Sequence, residues 1–266
     1  MSLQVCVLAS GSSGNAIYVA SDQTRLLIDA GLSARAITEK LNQIGVDIAD
    51  INGICVSHEH TDHIAAVRVL QRRHEIPVYA NSGTLEALRS RQQYHDVTAK
   101  IFTTGSTFNI NDICIFPFPV PHDAYEPVGF RIEKDDTAVG VVTDLGMPTA
   151  LVREKLRHCQ AIIVESNHDE ELLRISNRPW SLKQRIKGRQ GHLSNTAAAR
   201  LIADIASEQL EQVFLSHLSS DCNHPDTAHR TVSNILRNEG FDHIRIEMTY
   251  PDRISSIWQR SVKTGK

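Results

Sequence analysis

Ile54-Cys55-Val56-Ser57-His58-Glu59-His60-Thr61-Asp62-His63 is the stretch on which the reading of this chain turns. Its first three residues are apolar, as in a buried strand. Directly behind them, His58, His60, Asp62 and His63 place four metal-ligand side chains within six positions, more than a surface loop collects by chance. The cluster therefore sits where a strand ends and a helix begins. Side chains alternate in extended backbone, so His58 and His60 point the same way, while Asp62 and His63 turn with the chain toward a second position. Imidazole together with carboxylate suits zinc, manganese or iron, and two such positions suit a binuclear site.

Outward from the cluster, short β-rich runs alternate with helical ones. Residues 4–9 and 16–20 read as strands around Ser10-Gly11-Ser12-Ser13-Gly14-Asn15, a turn-rich hexapeptide of hairpin-loop composition. Residues 25–29 form a third strand ending at Asp29, and 33–44 carry helical periodicity up to Gly45. Further strands are expected at 54–56, 78–80, 101–102 and 113–116, with helices at 64–74 and 84–90. The second half repeats the style, with strands at 129–133, 138–143, 161–165, 213–216 and 244–247 and helices at 150–158, 195–206 and 225–238. Two successive sets of strands with interspersed helices predict an α/β fold of four layers, an αββα sandwich, as one domain over residues 1–266. A single doubly wound sheet is the competing topology, and the metal cluster decides against it.

The 266 residues suffice for a substantial core, and 41% hydrophobic with 22% charged residues is ordinary for a globular domain. A net charge of −3 exerts no global pull on nucleic acid or membrane, so such a partner needs a local patch. Cys6, Cys55, Cys114, Cys159 and Cys222 include no C-x-x-C pair and form no disulfide framework, which favours a reducing compartment. There is no basic-then-apolar leader and no apolar run of about 18 residues, so the expected location is the cytoplasm, with no membrane partner.

One cluster cannot fill two metal positions, so further ligands are sought where other strands end. His122 follows residues 116–120, Asp144 follows 139–143 and His217 follows 213–216. Singly, a histidine after a strand is more often a satisfied polar residue; beside the cluster, the three become its expected complement. The whole set resembles the metallo-β-lactamase superfamily. His58, His60, Asp62 and His63 match its H-x-H-x-D-H signature, and Asp29, His122, Asp144 and His217 match its earlier aspartate and later ligands in order. That resemblance implies the αββα sandwich, with the site at one edge between the sheets. It also implies one divalent metal on His58, His60 and His122, a second on Asp62, His63 and His217, and Asp144 bridging both. Asp29 would orient the ligand loop. The hexapeptide at 10–15, His122-Asp123-Ala124 followed by Pro127-Val128-Gly129, and Gly191-His192-Leu193-Ser194-Asn195 resemble the YycJ (WalJ) group, related to tRNA-processing endonuclease Z and to cyclic phosphodiesterases. The implied activity is phosphodiester cleavage in nucleic acid, as a 5′-to-3′ DNA exonuclease.

Such an enzyme also needs a proton or a positive partner for the departing alkoxide. His192, shortly before the helix at 195–206, is the candidate, and Asp62 is placed with it among the catalytic residues. Arg174, Arg178, Lys183, Arg185, Lys187, Arg189 and Arg200 form a run without Asp or Glu, and Trp180 lies inside it. Lys183, Arg185 and Lys187 are expected to contact phosphates and Trp180 to stack on a base; a solvated basic loop is the plain alternative. Glu165 and His168, at the end of a strand, are expected near the site without being required as metal ligands. A small-molecule hydrolase, for a cyclic phosphodiester, thioester or lactone, would not need the basic run. A decayed, non-catalytic binding protein would have lost a ligand. A flavo-diiron oxidoreductase is disfavoured because no flavin domain follows.

Overall fold

A computed structural model describes residues 3–260; residues 1, 2 and 261–266, which the single-domain expectation also takes in, lie outside the described residues. The first half contains β1 (Gln4–Ala9), β2 (Ala16–Ala20), β3 (Arg25–Ile28), α1 (Ala34–Gln43), β4 (Gly53–Cys55), α2 (Thr61–Ile64), α3 (Val67–His74), β5 (Val78–Ala80), α4 (Ser82–Arg89) and β6 (Lys100–Ile101). Then come β7 (Phe108–Ile110), β8 (Ile113–Pro119), β9 (Val128–Lys134), β10 (Thr137–Val142), α5 (Ala150–Leu156), β11 (Ala161–Glu165), α6 (Glu170–Ile175) and α7 (Trp180–Lys187). The chain closes with α8 (Asn195–Ile205), β12 (Gln212–Ser216), α9 (Pro225–Asn238), β13 (Arg245–Met248) and β14 (Trp258–Gln259).

The described strands form two seven-stranded sheets, ordered β14-β1-β2-β3-β4-β5-β6 and β13-β12-β11-β10-β9-β8-β7. Both are mixed. In the first, β3 to β6 run parallel while β1, β2 and β3 pair antiparallel. In the second, β10 to β13 run parallel and β7 to β10 antiparallel.

Alternating side chains serve two cores. Val5 and Val7 of β1, and Ala161 and Ile163 of β11, enter the core between the sheets. Cys6 and Leu8 pack instead under α1, α3 and α4, which contribute Ile37, Leu41, Val67, Leu70, Leu85 and Leu88. Ile162 and Val164 pack under α5, α8 and α9, through Val152, Leu156, Ala198, Ile202, Val232 and Leu236. Strands covered on both faces read as unbroken apolar runs, which is why 161–164 shows no alternation. The layers are therefore αββα, as the sequence predicts.

Of the elements named above, four have no counterpart in the sequence reading, the edge strands β7 and β14 and the helices α6 and α7, nor do the short 3-10 turns Ile48–Asp50 and Gln92–Tyr94. The helix expected at 64–74 is two, α2 and α3, broken where the Ala66 N–H donates to the Ala30 carbonyl at 2.8 Å. That bond ties the break to the loop after β3. No helix among the described residues is long and apolar enough to cross a membrane.

Candidate metal centre

Asp29 follows β3, His58 comes shortly after β4, Asp144 after β10 and His217 directly after β12, while Glu165 ends β11. Loops at the carboxyl ends of parallel strands are where open α/β sheets build sites. Here those loops meet at one edge of the sandwich. The ligand atoms of His58, His60 and His122 lie within 4.8 Å of one another, and so do those of Asp62, His63 and His217. Asp144 reaches both sets: Oδ1 lies 3.6 Å from His122 Nε2 and 3.2 Å from His217 Nδ1, and Oδ2 lies 3.1 Å from His63 Nε2. The seven residues expected as ligands thus stand in one cluster.

Most of these rings give one nitrogen to an outer partner. His63 Nδ1 donates to Asp29 Oδ2 at 2.7 Å, His217 Nδ1 to Glu165 Oε1 at 2.8 Å, and His122 Nδ1 to the Gly191 carbonyl at 3.3 Å. His58 Nδ1 lies 2.9 Å from Ser57 Oγ. Outer bonds of this kind set tautomer and ring plane, as they do for metal-ligating histidines. The other nitrogens turn inward, where His58 Nε2 and His122 Nε2 lie 3.1 and 3.3 Å from the same His60 Nδ1. Asp144 Oδ2 and His217 Nε2 are buried without a hydrogen-bond partner among the described residues, because their approaches to His63 and to Asp62 (3.1 and 3.6 Å) lack hydrogen-bond geometry. An unpaired buried polar atom costs about 1–3 kcal/mol. Lone pairs converging on shared points cannot satisfy one another, whereas cations satisfy them together. The donor set fits divalent metal ions.

Electrostatics follow from what each group faces. Burial, then the neighbouring His63, pushes the His58 imidazole well below its usual range. Burial lowers His122 as well. For His217 burial works the same way, but Asp144, Asp62 and Glu165 outweigh it and hold the ring up at about 10. Asp29 and Asp144 likewise outweigh burial at His63 and raise it. Burial would raise Asp144, yet His217 and His63 hold its carboxyl well below the carboxylate range. Burial would raise Asp62 too, but the neighbouring His217 and His63 rings, 3.6 and 3.4 Å away, hold its carboxyl below the carboxylate range. At His192, burial is outweighed by the Glu165 carboxylate, and the ring is raised.

Asp29 reaches no further than support. Its carboxylate also accepts the Ser57 N–H and O–H, both at 2.7 Å, and its backbone is left-handed at φ 61°. His217 shares that conformation at φ 55°, its amide donating to Ser10 Oγ at 2.7 Å. Strained backbone of this kind is stored at sites and held by surrounding bonds.

Four residues have roles at the site that sequence reasoning does not assign. Ser10 and Asn15 come from the hexapeptide: the Asn15 amide donates to the Asp62 carbonyl at 2.7 Å, and Nδ2 lies 3.2 Å from Asp62 Oδ2. Glu165, fully buried, binds His192 Nδ1 at 2.7 Å, His217 Nδ1 and the backbone N–H groups of Leu145 and Leu193. Gly31 matters for its missing side chain, since a Cβ there would lie 1.6 Å from the Asp62 carbonyl oxygen. Gly31→Ala must push the ligand loop outward, a clash worth about 1–3 kcal/mol or more. Its expected result is a lower melting temperature and weaker metal retention; wild-type values of both would show that the loop yields without consequence.

The cluster opens into a cleft of about 250 Å³, with His60, Asp62, Asp144 and His192 on one wall and Leu182, Arg185 and Ile186 of α7 on the other. Of the residues expected to bind substrate, Arg185 lines this cleft, ion-paired to Asp123 at 2.6 Å. Lys183 does not: its ammonium donates to the Arg174 and Ser176 carbonyls at 2.8 and 2.7 Å, so its charge serves the end of α6. Lys187 is exposed and outside the lining, and Trp180, 73% exposed, stands at the outer end of α7. Arg178 lines the cleft and pairs with Asp221 at 2.8 Å.

Fold and site together describe a metal-dependent hydrolase of the two-sheet class, and the chain belongs to the beta-lactamase superfamily, whose domain model matches residues 24–218. Within it, the chain is 38% identical to the exodeoxyribonuclease YycJ of Bacillus anthracis over 91% of this chain and 92% of that one. It is 37% identical to the exodeoxyribonuclease WalJ of Streptococcus pneumoniae, over 86% of this chain and 87% of that one. Among solved structures, the metallo-beta-lactamase fold protein YhfI of Bacillus subtilis superposes with a TM-score of 0.74 at 15% identity, covering 97% of this chain and 99% of that one, a likeness of fold alone.

Proposed function

We propose that this protein is a metal-dependent exonuclease that removes nucleotides from DNA in the 5′-to-3′ direction, working as one domain with two divalent ions, zinc or manganese, with iron also compatible with the donors. The observation that carries the reading is the convergence of seven candidate ligand side chains, five of which line a cleft that arginine also lines. The relatives named as exodeoxyribonucleases support DNA as the substrate. His58, His60 and His122 would hold one ion and Asp62, His63 and His217 the other, with Asp144 shared. Bound there, the ions supply Lewis acidity toward phosphoryl oxygens and lower the pKa of a water.

The remaining work belongs to the chain. Glu165 takes His192 Nδ1 at 2.7 Å, which leaves Nε2 as the nitrogen for the cleft and for the departing sugar oxygen. Asp62 faces the cleft as a ligand that also touches the reacting group. Arg185 and Arg178 steer the phosphate. A cleft of about 250 Å³ falls below the usual size of ligand sites, and it suits a chain end better than a continuous duplex.

The test incubates metal-loaded protein with 5′- and 3′-labelled single- and double-stranded DNA and RNA. Stepwise loss from the 5′ end of DNA is expected. Intact polynucleotides beside rapid hydrolysis of small phosphodiesters, lactones or thioesters would replace this reading with that of a small-molecule hydrolase.

A further inference from the structure

A second cleft, of about 720 Å³, adjoins the one at the metal centre and is assigned no role by the chemistry above. The two share Asp123, Arg185, Gln190 and Gly191, so the Asp123–Arg185 ion pair stands on the wall between them. Pro121, Met147 and Thr149 form one side of the second cleft, and Gly188 to Gln190 with Arg185 form the other.

Its two sides are backbone against backbone. The Gly146 amide donates to the Pro121 carbonyl at 2.8 Å, and a Cβ on Gly146 would lie 2.3 Å from the Arg189 carbonyl oxygen. A Cβ on Gly191 would lie 2.1 Å from the Ile186 carbonyl oxygen, and the His192 amide donates to that same oxygen at 2.9 Å. The loop that carries Arg189 is therefore fixed in place by the elements that fix His192. A preformed surface of this kind binds without first spending ordering entropy.

Arg189 is the charge that this surface leaves available. Its Nε donates to Met147 Sδ at 3.2 Å, a weak acceptor, and it pairs with no carboxylate among the described residues. By contrast Arg174, Arg178 and Arg185 each pair with an acid. An exposed guanidinium with donors to spare, beside the apolar faces of Met147 and Pro121, matches a phosphate followed by a sugar and base. We propose, resting on the nuclease reading, that this cleft holds the nucleotide adjoining the one being cut, with Arg189 on its phosphate.

The probe is a fluorescent phosphorothioate DNA dodecamer, single-stranded, titrated into the metal-loaded protein at several salt concentrations. Loss of one phosphate contact should reduce the slope of log affinity against log salt by about 0.7. Arg189→Ala should show that reduction and about tenfold weaker binding, and Arg189→Lys should restore the slope. In turnover, the KM penalty of Arg189→Ala should be far larger on a DNA dodecamer than on the nitrophenyl ester of thymidine monophosphate, which is too short to reach the second cleft. An unchanged slope in Arg189→Ala, or equal KM penalties on both substrates, overturns the subsite while the nuclease reading stands. If wild-type protein cuts the nitrophenyl ester but no oligonucleotide, the nuclease reading falls and the subsite with it.

Discussion

Asp144→Ala is expected to strip the protein of tightly held metal and to reduce turnover by on the order of 10²–10³ or more, the scale of losing one preorganised electrostatic contact at a reacting centre. The reason is geometric. Asp144 alone among the carboxylates touches His122 on one side and His63 and His217 on the other, at 3.6, 3.1 and 3.2 Å. Its removal leaves each set of three donors without the shared anion that neutralises it, so both ions should weaken together. Elemental analysis after desalting measures this as a fall from two ions per chain. Asp144→Asn separates charge from size: it should keep the fold, seen as a cooperative melt, and still lose metal. Two ions per chain with wild-type turnover in either variant would sink the shared-ligand assignment. One ion lost and one retained would assign Asp144 to a single position.

The proposed ligands are legible in sequence because they are polar residues that follow apolar strands within a few positions, His58 to His63 after β4, His122 after β8, Asp144 after β10 and His217 after β12. Glu165 carries the same signature, as the acid that ends the fully buried β11. Its task stays hidden because it is defined by His192 and His217, 27 and 52 residues away, which no local pattern joins to it. The basic run fails in the opposite sense. Its own composition shows no acid, but Glu171, Asp221 and Asp123 arrive from outside it to pair with Arg174, Arg178 and Arg185. Lys183 turns to backbone carbonyls instead. Helix α7 is missed because Leu182 and Ile186 are its only apolar positions turned inward while Trp180 faces solvent, a thin amphipathic signal over eight residues. Edge strands of two or three residues such as β14 and β7 are set by their neighbours, Val5 pairing with Trp258 and Ile115 with Phe108, rather than by propensity.

His192→Ala tests the second half of the chemistry. Divalent ions held by the proposed ligands would orient and neutralise a phosphodiester, but a departing sugar oxygen is a poor leaving group unless it receives a proton. A positioned histidine supplies that proton at a benefit of roughly 10²–10⁴ in rate. His192 is also close enough to Asp144, Glu165 and His217 to be a ligand itself, so the two roles must be told apart. Its Nδ1 is 2.7 Å from Glu165 and 3.8 Å from Asp144, so ligation through Nδ1 would require breaking the Glu165 bond. His192 lines the cleft, and with Nδ1 held by Glu165 its Nε2 is the nitrogen left for a substrate. The variant should therefore retain two ions and a wild-type melt while losing turnover on DNA within that range. On a nitrophenyl phosphodiester, whose leaving group needs little protonation, the loss should shrink to a few-fold. Glu165→Gln should be less selective between the substrates, because its carboxamide nitrogen must face two of the four N–H groups that the carboxylate accepts, those of His192, His217, Leu145 and Leu193, and so disturbs a proposed metal ligand as well. A lost ion in His192→Ala would make the histidine a ligand, and equal losses on both substrates would remove it from proton transfer.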